Sequence, residues 1–250
     1  MVWKGDQKME FIEQEEKKYE LTDETIVYQG SVLYRIRSLK NFAYVKAGDL
    51  GGWVEGYHNL DHAGNCWIHD NGKVLGKAKL SGDANVFDDA WIYQSAEVYG
   101  NATISGSAII SGKAKVHGVA IVRDYAEVFG SAEVYGHATV SGAAHVYGRA
   151  KIDNEAIISG SAKVYDNAEV YERALVSGDA IVYKNATVFG KAEILGKAKI
   201  EGYAKVFGNA IVLDNAIVKG VSEISGECRI LYDSIVEDAR IKKGIIAILK

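Results

Sequence analysis

Residues 74–100 read VLGKAKLSGDANVFDDAWIYQSAEVYG, and the register set there holds as far as Val236. From Val74 to Val236 every sixth residue is Val, Ile or Leu, which makes 28 hexads without a slip. Two places before each aliphatic stands alanine, at all 24 positions from Ala78 to Ala216, followed by Ser222, Cys228 and Ser234. Two places after it, 18 of the 26 positions from Gly76 to Gly226 are glycine; the others are Asp88, Gln94, Asp124, Asn154, Asp166, Glu172, Lys184 and Asp214. A fixed internal period of this kind is the mark of a solenoid.

Each place in the hexad has a physical reason. In Ala-x-Val-x-Gly-x the alanine and the aliphatic lie two apart, so on an extended segment both point to one side, the core. The glycine falls where the chain must turn after a very short strand, and it reaches positive φ at little steric cost. Aspartate and asparagine tolerate that conformation better than most residues, whereas Glu172 and Lys184 fit it less well. A helix is excluded, because a spacing of six departs from the helical period and glycines this dense would each cost about 1 kcal/mol.

The outward positions say how many corners close one coil. Taken every 18 residues, the position after the aliphatic reads Tyr93, Ser111, Phe129, Tyr147, Tyr165, Tyr183 in one register and Tyr99, His117, Tyr135, Asp153, Tyr171, Phe189, Phe207 in the next. The third register, Ser105, Arg123, Ser141, Ser159, Ser177, is mostly serine. The position after the alanine alternates in sign at the same spacing: Lys79, Glu97, Lys115, Glu133, Lys151, Glu169. Rungs stacked in register would set each of these charges beside an opposite one. Three hexads per coil therefore make a triangular prism, an all-β, single-stranded parallel β-helix.

These residues resemble the hexapeptide-repeat proteins, and the resemblance implies a left-handed coil. General crossover rules favour right-handed connections, so a right-handed β-helix of the bactofilin type stays as the structural alternative. The blocks Lys46-Ala47-Gly48-Asp49-Leu50-Gly51-Gly52-Trp53-Val54 and Gly64-Asn65-Cys66-Trp67-Ile68 look like the N-terminal signature of YdcK-like hexapeptide proteins, bacterial and phage sequences that carry an acetyltransferase label. That resemblance implies acyl transfer from acetyl-CoA as an activity to be tested, and brings no catalytic residue with it.

Outside the repeat, EFIEQEEKKYEL at residues 10–21 has the composition of a short helix. Residues Thr25 to Lys40 place two apolar runs around Gln29-Gly30, the pattern of a hairpin. A solenoid needs its open ends covered, so the expected layout is an N-terminal extension and hairpin cap at 1–53, the repeat at 54–238 and a C-terminal cap at 239–250. Gly48, Gly51 and Gly52 suit tight turns, and Trp53 and Trp67 suit a cover for the first coil. The functional alternative at this junction is a ligand or partner site formed by Asp49, Trp53, Asn65 and Trp67.

Composition narrows the classes. A net charge of −4 with the 29 basic residues spread along the chain gives no nucleic-acid footprint. No apolar run approaches a membrane span, and the start lacks the layout of a signal peptide, so a cytoplasmic location is expected. Cys66 and Cys228 both occupy the small inward slot, nine coils and roughly 43 Å apart, too far for a disulfide.

Hexapeptide acyltransferases use a histidine as general base, which lifts a proton from the acceptor as it attacks a thioester. The weak catalytic candidates are His117 and His137, with His145 third on the rod; all three read as solvated surface residues, and no inserted loop follows any of them. His58, His62, Cys66 and His69 are donors of zinc type at a spacing that matches no standard motif, so no metal site is assigned. The aromatic register of Tyr93, Phe129, Tyr147, Tyr165 and Tyr183 should form a strip, which suits cross-strand stacking or an interface. The expected function is a non-catalytic β-helical scaffold or binding protein without a cofactor, acting as a homo-oligomer, trimer or dimer, with a protein partner. The alternatives are an acyl-CoA-dependent transferase and a phage-related protein that binds a host factor or small ligand.

Overall fold

The computed structural model describes residues 17–248. Three sheets make up the molecule, with 13, 11 and 10 strands in their order of size. From Trp67 onward the chain visits them in strict rotation, mostly two extended residues at a time, and strands pair in parallel with the one 18 residues on until the last coil, where the offset falls to 17 for Glu223 with Arg240 and 16 for Arg229 with Ile245. Thr103 and Ile104, for example, oppose Ile121 and Val122. This is a three-sided β-solenoid of about 11 turns with about 18 residues per coil. The alanines and aliphatics of the hexad are all buried in one continuous core.

All positions of the corner series from Gly64 to Asp238 have positive φ, glycine or not, Glu172 and Lys184 among them at 60°. Most non-glycine corners have a second task. The Asp88 carboxylate accepts the backbone N–H of Gly106 one coil on (2.8 Å), Gln94 accepts that of Gly112 (2.7 Å) and Asp124 that of Gly142 (2.9 Å). Asp166 and Asp214 serve Lys184 and Tyr232 in the same way. An amide that would otherwise rely on water thus gains a fixed acceptor.

The hairpin forms where expected and is longer than expected. β1 (Tyr19–Tyr28) and β2 (Ser31–Ser38) pair antiparallel around Gln29 and Gly30, both at positive φ. β1 takes in Tyr19 to Leu21, so that part of the helical expectation is wrong; residues 10–16 lie outside the described residues. Tyr19 is drawn into the strand because its ring is wholly buried over the end of the core. β3 (Leu50–Val54) then pairs antiparallel with β2 and parallel with Lys73–Val74, which joins the hairpin to the largest face.

Gly48 has φ +92 and turns the chain, but Gly51 and Gly52 lie inside β3. A Cβ on Gly51 would stand 2.7 Å from the Trp67 ring and one on Gly52 would stand 2.4 Å from the carbonyl oxygen of Gly72. These two glycines serve close approach to the first coil, not a turn. At the far end, Arg240–Ile241 and Ile245–Ile248 pair in parallel with Glu223–Ile224 and with Arg229–Tyr232. The described part of the C-terminal segment therefore continues the ladder instead of folding across it as a cap.

Candidate functional site

The coils set outward side chains in columns about 4.8 Å apart, and two of these columns carry three stacks of three or four rings. On the largest face Phe129, Tyr147, Tyr165 and Tyr183 stack nearly parallel, with centroids 4.8, 4.7 and 5.2 Å apart. Burial pushes the phenol groups of Tyr147, Tyr165 and Tyr183 above their ordinary range, that of Tyr183 furthest. The Tyr183 hydroxyl donates to Glu201 (2.6 Å), which also accepts from Lys184 Nζ. The Lys184 and Tyr183 bonds hold the Glu201 carboxyl below its usual range.

Tyr93 does not extend this stack. Ser111 interrupts the column, and Tyr93 packs against Leu33, Trp53 and Leu75 under the hairpin. Tyr28, at the end of β1, meets Trp91 edge-on at 4.6 Å. The hairpin thus covers the part of the face where the strip was expected to begin, and four rings remain.

The neighbouring face carries the other two stacks, Tyr171–Phe189–Phe207 and Tyr99–His117–Tyr135. His117 lies between two tyrosine rings at 4.6 and 5.2 Å, with Nε2 2.9 Å from Glu133 Oε1. A ring held on both faces and at one nitrogen has little freedom to approach an acceptor. His137 is exposed beside a corner, and His145 stands between Glu127 and Lys163 on the largest face. The three histidines do not converge.

The junction of cap and rod separates the four residues assigned to it. Asp49 is exposed and closes its own turn by accepting the N–H of Lys46 (2.7 Å). Asn65 donates its backbone and side-chain N–H groups to Asp83. Trp53 lies in the outer cluster under the Arg35 guanidinium, 5.1 Å from its ring, whereas Trp67 is in the inner core against Phe42 and Tyr19. The two tryptophans thus belong to different clusters. A cavity of about 260 Å³ does open at this end, lined by Tyr57, His58, Leu60, Asp61, His62 and Lys79 among others. None of the four residues borders it.

Each cap histidine has its own partner. His58 Nε2 is 2.7 Å from the Gly76 carbonyl, His62 Nδ1 accepts the N–H of Lys18, and His69 stacks on Phe87 and bonds Asn85. Among the described residues no three His, Cys, Asp or Glu side chains converge in a way that could hold a metal ion.

The group that sequence reading missed is Lys18. It is wholly buried, and its Nζ donates to the carbonyls of Cys66 (2.9 Å), Gly64 (3.3 Å) and Ala63 (3.4 Å) and meets Cys66 Sγ at 3.2 Å. Burial pushes the Cys66 thiol up, and the ammonium partly opposes this. Asn59, also buried, bonds the N–H groups of Glu55 and Gly56 and the carbonyls of Gly76 and Ala78. Neither residue has a periodic signal, since both plug the aperiodic end of the core.

The YdcK β-solenoid repeat model matches residues 96–112 and 132–148. With the coils those residues build, the match fits a YdcK-like repeat protein. No curated protein matches the chain.

Proposed function

We propose that this chain is a non-catalytic β-solenoid scaffold or binding protein that acts as a homo-oligomer. The observation that carries this reading is the state of the rod histidines on an uninterrupted ladder. His117 is held between two rings, and His137 and His145 stand at separate places on the rod. From Trp67 to Ile248 each strand follows the last with no lobe between them to enclose a thioester and its acceptor. Half-buried, pre-stacked rings are a surface on which flat or apolar groups of a protein partner can settle with little ordering cost.

The second reading, acyl transfer from acetyl-CoA, is favoured by the imidazole–carboxylate pair of His117 and Glu133, since a base oriented by a carboxylate is a recurrent catalytic arrangement. Titration calorimetry of the purified protein with acetyl-CoA, with light scattering on the same sample, decides between them. The scaffold reading expects no binding heat from a folded oligomer. Millimolar or tighter binding, with acetyl transfer to an acceptor that is lost in His117→Ala, would establish the second reading instead.

A cytoplasmic location is supported by two unpaired, buried thiols, Cys66 and Cys228, which suit a reducing compartment. No helix among the described residues is long and apolar enough to cross a membrane.

A further inference from the structure

At the hairpin end of the largest face, cation and ring alternate along one column. Arg35, Trp53, Lys73 and Trp91 are successive ladder neighbours. The Arg35 guanidinium lies 5.1 Å from the Trp53 ring and Lys73 Nζ lies 5.6 Å from that of Trp91. Lys73 Nζ also donates to the Asn71 carbonyl (2.9 Å), and Tyr28 meets Trp91 edge-on from the hairpin. Trp91 is therefore held in place before any ligand arrives. Beyond it the column changes character, to Ile109 and then Glu127. On the corner that leads into this face, Asp89, Ser107 and Tyr125 follow one another at the 18-residue spacing. These two columns line a cleft of about 490 Å³, a size within the range of about 300–1,000 Å³ usual for small-ligand sites. From Lys73 to Glu127 it runs over three coil spacings, roughly 14 Å.

The chemistry of the lining selects a ligand by elimination. An anion would meet two carboxylates, Asp89 and Glu127, against the single ammonium of Lys73. A free cation would find Lys73 Nζ already beside the Trp91 ring; burial pushes that ammonium down and Asp89 opposes the shift, so the two charges serve each other. A wholly apolar ligand would strip water from Asp89, Ser107 and Glu127 and give nothing back. A neutral ring with one apolar face and hydroxyls about its edge meets none of these penalties. Its C–H groups cover Trp91, Ile109 and Tyr125, the last of them 71% exposed in the free protein. Its hydroxyls donate to the carboxylates in short, charge-assisted bonds. Among the described residues the side chains of Ser107, Tyr125 and Glu127 make no hydrogen bond to one another or to a neighbour, so their polar atoms are open to such a ligand.

We propose that this cleft is a carbohydrate-binding site for neutral sugars, with a pyranose ring packed against Trp91 and Tyr125 and its hydroxyls held by Asp89, Ser107 and Glu127. The site is complete within one chain, so the proposal goes beyond the scaffold reading above and is independent of the homo-oligomer.

A glycan array of neutral and acidic oligosaccharides, probed with the full chain, tests it, followed by titration of the best-retained glycan with tryptophan emission and calorimetry as readouts. Trp53 and Trp67 are buried, whereas Trp91 is half-buried, so a sugar in the cleft should shift the emission. Neutral glycans should be retained, with a dissociation constant of about 1 mM or tighter, and Tyr125→Ala and Glu127→Gln should each weaken binding about tenfold. Both substitutions lie at the surface, and circular dichroism confirms that each variant is folded. Tyr203→Ala removes a tyrosine of similar exposure (65%) that lies outside the cleft, and should leave binding unchanged. Retention of acidic glycans alone, or of no glycan, overturns the proposal. So does neutral-glycan binding that survives both cleft substitutions, which would place the site elsewhere on the rod. An emission shift with tetramethylammonium chloride and none with neutral glycans overturns it as well, and would make the cleft a cation site.

Discussion

A left-handed corner on every sixth residue makes two demands on a side chain: it must accept positive φ, and it must not press on the corner one coil on. At Gly142 a Cβ would lie 2.7 Å from the carbonyl oxygen of Gly160 with φ at +68. Gly142→Ala should therefore destabilise the fold by about 1–3 kcal/mol in urea titration. Asp124 stands one coil earlier in the same column, and its carboxylate holds the Gly142 N–H. Asp124→Ala, which keeps the strain and loses the acceptor, should cost about 0.5–1.5 kcal/mol, while Asp124→Asn should cost less. Equal losses would show that the acceptor is idle. Glu201 gives a pH dependence of known sign. Its folded pKa is depressed by Lys184 and Tyr183, so its contribution is present above the unfolded carboxylate pKa and fades as pH falls through the folded value. The melting-point deficit of Glu201→Gln should thus be seen at neutral pH and shrink under acid conditions.

At the scale of elements, the strands that repeat were legible and those that occur once were not. Ala78 and Leu80 reveal their strand because the same pair recurs every six residues, and the αL corners follow from glycine in that register. Tyr19 and Lys18 belong to a polar, unrepeated stretch, and only the three-dimensional end of the core shows why a lysine is buried there. The aromatic strip was legible as a column, yet the exclusion of Tyr93 depends on how the hairpin lies, which Leu33 and Tyr28 decide through contacts far away in sequence. Asp49 and Trp53 belong to one block of the motif and Asn65 and Trp67 to another, and the two blocks were read as one site, although Trp53 on β3 packs under the hairpin and Trp67 on a separate strand packs in the core. Trp53 then reads as an anchor of the hairpin. Trp53→Ala should cost about 3–5 kcal/mol, as for an aromatic removed from a packed cluster, and should expose the hairpin to limited proteolysis. Unchanged melting would show that the hairpin is held by its ladder with β3 alone.

For the whole molecule, a rod of about 11 turns at 4.8 Å per coil is roughly 50 Å long. Each coil contacts only its neighbours, so a solenoid with two open ends has no internal reason to stop growing. What covers the core at the N-terminal end is anchored by Tyr19. Its hydroxyl donates to the Leu60 carbonyl (2.9 Å), and its ring stacks on His62 and meets Trp67 edge-on. Tyr19→Ala removes these contacts while leaving the repeat unchanged. The far-UV spectrum should stay β-rich, binding of an apolar dye should rise, and light scattering should grow with concentration and time as the uncovered end finds strands of other copies. A Tyr19→Ala protein whose mass stays fixed under these conditions would mean that the hairpin closes the rod through its backbone ladder to β3, without help from the ring beneath it.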